Sequence, residues 1–117
     1  GRGDAVVREG LITLDLRAAT AYVAGKRVDL TPNEYRLLAA LVTHPGETLG
    51  FRQLLLLGWG DGSPLGGREL LKTALYRLRM KLESVDPAAR GVVESVRGVG
   101  YRFRLTPDAD GHSTVTE

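Results

Sequence analysis

Apolar and polar residues alternate over the first thirty positions and then change to a helical spacing. Ile12, Leu14 and Leu16 are separated by Thr13 and Asp15, the period of a half-buried strand. Tyr22-Val23 and Val28 with Leu30 flank Ala24-Gly25-Lys26, which predicts a hairpin with glycine in its turn. Ala5 to Val7 adds a further edge strand. From Thr31 onward, Tyr35, Leu38 and Val42, with Leu37 and Leu41, form an apolar stripe along a helix. Thr31-Pro32-Asn33-Glu34 marks its start. Thr31 caps the free backbone N–H groups, Pro32 suits the first helical position and Glu34 completes a capping box. His44-Pro45-Gly46 stops the helix.

A second, shorter helix is expected from about Phe51 to Leu57, ending at Gly58-Trp59-Gly60. Asp61 to Gly67 then reads as a flexible connection. A third helix runs from Glu69 to Glu83. At about 100° per residue, Leu71, Ala74, Leu75, Leu78 and Leu82 fall on one side. Thr73, Met80, Glu69, Tyr76 and Arg77 fall roughly opposite. Arg79 and Lys72 flank one edge, and Lys81 the other. A polar link from Ser84 to Gly91 leads into Val93 to Phe103, two short strands around Gly98 and Gly100 with Arg97 at the bend. Pro107 to Glu117 is polar and aperiodic, which predicts a disordered tail over 106–117 and a domain over 5–105. Strands, three helices joined by short turns and a final β-ribbon describe an α+β winged helix-turn-helix.

Composition bounds the chemistry. A chain of 117 residues, 43% hydrophobic, makes one small domain with a modest core. The formal net charge is only +2, so the bulk charge does not by itself point to nucleic acid. Its distribution does. Arg68, Lys72, Arg77, Arg79 and Lys81 face only Glu69 and Glu83 within Arg68 to Glu83, more positive charge than the whole chain nets. The absence of cysteine removes disulfides, thiolate metal sites and thiol catalysis, and fits a reducing cytosol. No apolar run approaches the roughly 18 residues of a membrane span. His44 and His112 are the only histidines, and no nucleophile–base or metal-ligand spacing is visible. No enzymatic activity, metal or cofactor is therefore expected.

The outward face of the third helix carries the mixture that a major-groove helix uses. Arg77 can donate two hydrogen bonds to guanine O6 and N7, and Thr73 can meet a thymine methyl or a phosphate. Tyr76, Arg79 and Lys72 can hold phosphates and fix the register without reading sequence. The glycines around Arg97 permit a tight, exposed bend, from which an arginine can enter a narrow minor groove. Arg102 adds a further phosphate contact, while Tyr101 and Phe103 are expected to pack back onto the helices. Taken alone, the basic helix face is equally a solvated surface, and the hairpin equally an ordinary one with a solubilising arginine. Their succession is what gives them weight.

These segments together resemble the DNA-binding domain of OmpR/PhoB-type response regulators. The resemblance spans about Leu11 to Phe103. It is carried by Leu30-Thr31-Pro32-Asn33-Glu34-Tyr35-Arg36-Leu37-Leu38, by His44-Pro45-Gly46-Glu47 and by Gln53-Leu54-Leu55 leading to Trp59-Gly60. It continues in Leu78-Arg79-Met80-Lys81-Leu82 and in Ser95-Val96-Arg97-Gly98-Val99-Gly100-Tyr101-Arg102-Phe103. It implies a four-stranded N-terminal antiparallel sheet, three helices and a C-terminal hairpin wing. Base-contact positions fall on Thr73 and Arg77, phosphate positions on Tyr76 and Arg79, and the minor-groove arginine on Arg97.

The resemblance also implies partners. These are double-stranded promoter DNA, bound as direct repeats by head-to-tail pairs, and RNA polymerase, met by the loop from Trp59 to Gly67 with Trp59, Asp61 and Ser63. It implies the effector half of a longer, cytoplasmic two-component regulator, whose receiver domain is absent from this chain. Two departures stand out. The recognition helix has Leu71-Lys72-Thr73-Ala74-Leu75 in place of a frequent Val-Asp-Val-His-Ile, and the second helix opens with Gly50-Phe51 in place of Ser-Arg. The first leaves open a winged helix that binds protein rather than DNA; the second loses a capping hydroxyl.

Overall fold

The computed structural model describes residues 5–60 and 66–105. Asp61, Ser63 and the expected tail at 106–117 lie outside the described residues. The N-terminal part is an antiparallel four-stranded meander. Its strands are β1 (Val6–Glu9), β2 (Ile12–Asp15), β3 (Thr20–Val23) and β4 (Lys26–Val28), in the order β1-β2-β3-β4. Ile12 pairs with Val23, and Leu14 with Ala21, which in turn pairs with Val28; all five are buried, so one face of the meander is apolar. Two sequence expectations shift here. The edge strand occupies Val6–Glu9 rather than Ala5 to Val7. The alternation also stops one residue short, because the Asp15 carboxylate accepts from the N–H groups of Arg17 and Ala18 at 3.1 and 3.0 Å. That local turn ends β2 and leaves Leu16 exposed.

Helix α1 (Pro32–Val42) begins with the expected capping box. Thr31 Oγ1 accepts from the Glu34 N–H at 3.2 Å, and Glu34 Oε1 accepts from the Thr31 N–H at 2.9 Å. Leu37, Leu38, Leu41 and Val42 are buried. Past the helix, the Gly46 N–H donates to the Phe103 carbonyl at 2.8 Å, tying the helix exit to the C-terminal strands.

Helix α2 (Phe51–Trp59) continues through Gly58, which sequence reading places in the stop signal. Glycine suits the helix interior here because a Cβ would lie 3.1 Å from Leu37 Cδ2. The Gly58 carbonyl accepts from Asn33 Nδ2 at 2.7 Å and Arg36 Nε at 3.1 Å, which pins the end of α2 to α1. Helix α3 (Gly67–Val85) is two residues longer at each end than expected. It buries Leu71, Leu75, Leu78 and Leu82, with Ala74 half-buried beside them.

The C-terminal ribbon is not a simple hairpin. Thr48–Gly50 forms β5, which pairs with β7 (Gly100–Phe103), and β7 pairs with β6 (Val93–Val96), giving the antiparallel order β5-β7-β6. Three residues are too few for periodicity to reveal β5. The two glycines of the ribbon also divide their labour. Gly98 takes the positive φ of the turn, at +76°. Gly100 does not; a Cβ there would collide with the Leu49 carbonyl, so glycine permits β5 and β7 to pair. Gly100→Ala is therefore expected to cost about 1–3 kcal/mol through forced separation of the strands, read as a lowered thermal midpoint.

Candidate nucleic-acid interface

Helix α3 lies with its leucine stripe in the core and its opposite face in solvent. Thr73, Tyr76 and Arg77 are all exposed, Tyr76 at 60% of its surface. Two grooves border this ridge and share Thr73. The groove on the wing side is lined by Lys72, Thr73, Tyr76, Arg79, Ser95 and Tyr101. The groove on the α1 side includes Asn33, Trp59, Leu70, Thr73 and Arg77. Among the described residues, Arg77 and Lys72 have no hydrogen-bond or ion-pair partner, so both cations remain available to a ligand.

Arg79 is committed differently. Its Nε donates to the Val93 carbonyl at 3.1 Å and its Nη2 to Ser95 Oγ at 2.9 Å. Its guanidinium also lies 5.4 Å from the centre of the Tyr101 ring. Half-buried, it locks the wing to α3 and presents only its remaining N–H groups to the groove. Ser95 and Tyr101, which hold it, are site residues that sequence reading did not single out as such. Tyr101 and Phe103 are buried against the helices as expected.

Arg97 stands at the exposed turn between β6 and β7, closed by the Val99 N–H on the Val96 carbonyl at 2.9 Å. Arg102 is not brought together with the α3 residues. Successive strand residues face opposite sides, so Arg102 points away from Tyr101 and the helices. There it pairs across the strands with Glu94, Nε to Oε1 at 2.7 Å.

The pair between Glu34 and Lys81 was hidden from sequence reading, because 47 positions separate its partners. Lys81 Nζ donates to Glu34 Oε1 at 2.6 Å, the same oxygen that closes the α1 capping box. Glu34 is only 3% exposed. Burial pushes its carboxyl upward, but the hydrogen bonds from Lys81 and the Thr31 N–H, the Lys81 charge and the Thr31 side chain together prevail. The carboxyl thus sits below its ordinary value. This pair fixes α3, the carrier of the ridge, to the start of α1.

At the start of α2, Gly50 offers no side-chain cap, as expected from Gly50-Phe51. Gln53 Oε1 partly compensates by accepting from the Gly50 N–H at 3.4 Å. Trp59, half-buried at the end of α2, lines the Arg77 groove. Among the described residues, no helix is long and apolar enough to cross a membrane.

Residues 25–103 match the family described as "Transcriptional regulatory protein, C terminal". The chain belongs to this family. As a transcriptional regulatory C-terminal domain it is 41% identical, over 94 residues, to Transcriptional regulatory protein AfsQ1 of Streptomyces coelicolor; the match covers 80% of this chain and 41% of AfsQ1. It is 38% identical over 102 residues to KDP operon transcriptional regulatory protein KdpE of Escherichia coli, covering 87% of this chain and 44% of KdpE. The domain thus spans less than half the length of these relatives.

Among solved structures it is similar to the Klebsiella pneumoniae RstA DNA-binding domain in complex with RstA box, at TM-score 0.72 and 26% identity, covering 86% of this chain and 98% of that one. It is also similar to response regulator DrrB, a Thermotoga maritima OmpR/PhoB homolog, at TM-score 0.71 and 28% identity, covering 86% of this chain and 44% of that one. The winged-helix fold and the OmpR/PhoB-type resemblance read from sequence are both borne out.

Proposed function

We propose that this domain binds double-stranded DNA in a sequence-specific manner, as the effector part of a cytoplasmic two-component response regulator. The observation that carries this reading is the exposed Thr73–Tyr76–Arg77 ridge, in which Arg77 has no partner among the described residues, flanked by a wing whose turn carries Arg97. In this reading α3 enters the major groove. Arg77 reads guanine and Thr73 a thymine methyl. Lys72, Tyr76 and the free N–H groups of Arg79 hold phosphates. Arg97 enters the adjacent minor groove. Arg102, paired with Glu94 on the far face of β7, lies outside this set. Two copies sit head to tail on direct repeats in promoter DNA. Trp59, with Asp61 and Ser63 beyond it, meets RNA polymerase.

Titrating the domain with duplex DNA at several salt concentrations tests this. Two cations on phosphates release roughly 0.9 counterions each, so log K should fall with log salt at a slope of about −2 or steeper. A flat response would favour a winged helix that binds protein.

A further inference from the structure

Arg68 stands outside the DNA-facing set of Lys72, Thr73, Tyr76, Arg77 and Arg79, yet it is built into the same surface. It precedes Lys72 by four residues and Tyr76 by eight, so the three share one face of α3. Its guanidinium carbon lies 4.0 Å from the centre of the Phe51 ring. Phe51 opens α2 and meets Tyr101 edge-on, with centroids 6.2 Å apart and planes at 89°. Tyr101 in turn lies 5.4 Å from the Arg79 guanidinium. A row of cation, ring, ring and cation therefore runs from the start of α3 to the wing, beside the groove that holds Lys72 and Tyr76.

Arg68 is exposed and has no carboxylate partner among the described residues, so none of them neutralises its charge. An exposed arginine ordinarily gives up rotamer freedom when it binds. Attraction to the face of Phe51 restricts Arg68 beforehand. From Arg68 to Arg79 the helix rises about 16 Å, so Arg68 extends the cationic track one turn beyond Lys72.

We propose that Arg68 is a further phosphate-contacting residue, positioned for that contact by the ring of Phe51. The proposal rests on the DNA-binding reading and deepens it. A phosphate contact carries no sequence information, so a random-sequence duplex is a sufficient probe. The wild-type domain, Arg68→Ala, Arg68→Lys, Phe51→Leu and the double variant Phe51→Leu/Arg68→Ala would be titrated with it between 50 and 200 mM salt.

Losing one phosphate contact reduces the salt slope by about 0.9. Over that range the wild type should therefore lose about 3.5-fold more affinity than Arg68→Ala. Arg68→Lys keeps the charge and should keep the slope. Phe51→Leu should weaken binding, and the double variant should bind no more weakly than Arg68→Ala alone.

If the wild type binds with a steep slope that Arg68→Ala leaves unchanged, the Arg68 assignment falls and the DNA-binding reading stands. If the wild type itself does not bind, both fall. If Phe51→Leu weakens binding equally with and without Arg68, the positioning role of the ring is wrong. Circular dichroism confirms that each variant folds. Should Phe51→Leu unfold, the Arg68 pair of variants still decides the phosphate contact.

Discussion

Arg77→Ala should weaken binding to a preferred duplex by about 1–3 kcal/mol, roughly 5- to 150-fold, and should relax the preference at one base position. The basis is geometric. Arg77 stands on the solvent face of α3, opposite the buried leucines, and among the described residues no carboxylate engages it. Removing it leaves no buried group unpaired, so the thermal midpoint should stay near that of the wild type. A loss of binding without loss of stability is the signature of a contact residue. Arg77→Glu should be more severe, because it sets a negative charge against phosphates. Arg97→Ala should act differently. Its contact is to the minor groove, whose pattern is degenerate, so it should lower affinity for A·T-rich flanks without changing the base preference that Arg77 sets. Gel-shift titrations on matched duplexes separate the two.

The second large effect concerns the fold that presents the ridge. Lys81→Ala should destabilise the domain by about 3 kcal/mol, the low end for breaking a buried ion pair, because Lys81 keeps some solvent contact. The carboxylate of Glu34 would remain buried with only the Thr31 bonds to hold its charge. For a domain of this size, each kcal/mol moves the midpoint by about 4–8 °C.

The pH dependence follows from the direction of the Glu34 shift. Its carboxyl is lowered in the folded protein, so the unfolded chain takes up its proton first as pH falls. The stability it contributes is fully present above the ordinary glutamate value of about 4.3. It is lost as pH drops from there through the lower folded value. In Lys81→Ala the burial of Glu34 is less opposed, so protonation should relieve the variant. The gap between wild type and variant should then narrow from pH 7 to pH 4. Urea unfolding at the two pH values measures it; a gap that stays constant would mean that the pair does not carry the stability assigned to it.

Much of this architecture is legible in the sequence because its signals are local. The Thr31–Glu34 capping box, the leucine spacing of α3 and the glycine at the wing turn each act over a few residues. What escaped reading depends on partners far apart in the chain. β5 is three residues long and exists only because β7 pairs with it. Gly100 reads as a turn glycine until the Leu49 carbonyl is seen against it. Glu34 looks complete as a capping residue, and nothing nearby announces Lys81.

The candidate site divides in the same way. The helical wheel places Thr73, Tyr76 and Arg77 outward without help from the fold. The commitments of Arg79 to Val93 and Ser95, of Arg102 to Glu94 and of Arg68 to Phe51 all cross between elements. Charge and exposure can be read along a chain; whether a cation is already engaged cannot.

Selection of bound duplexes from a random DNA pool, run in parallel with the wild-type domain and Arg77→Ala, measures whether the outward face of α3 reads base sequence. The wild type should enrich a defined half-site, recurring as a direct repeat, with a G·C pair that Arg77→Ala no longer selects. Failure of the wild type to enrich any sequence, or recovery of the same half-site with Arg77→Ala, would contradict it.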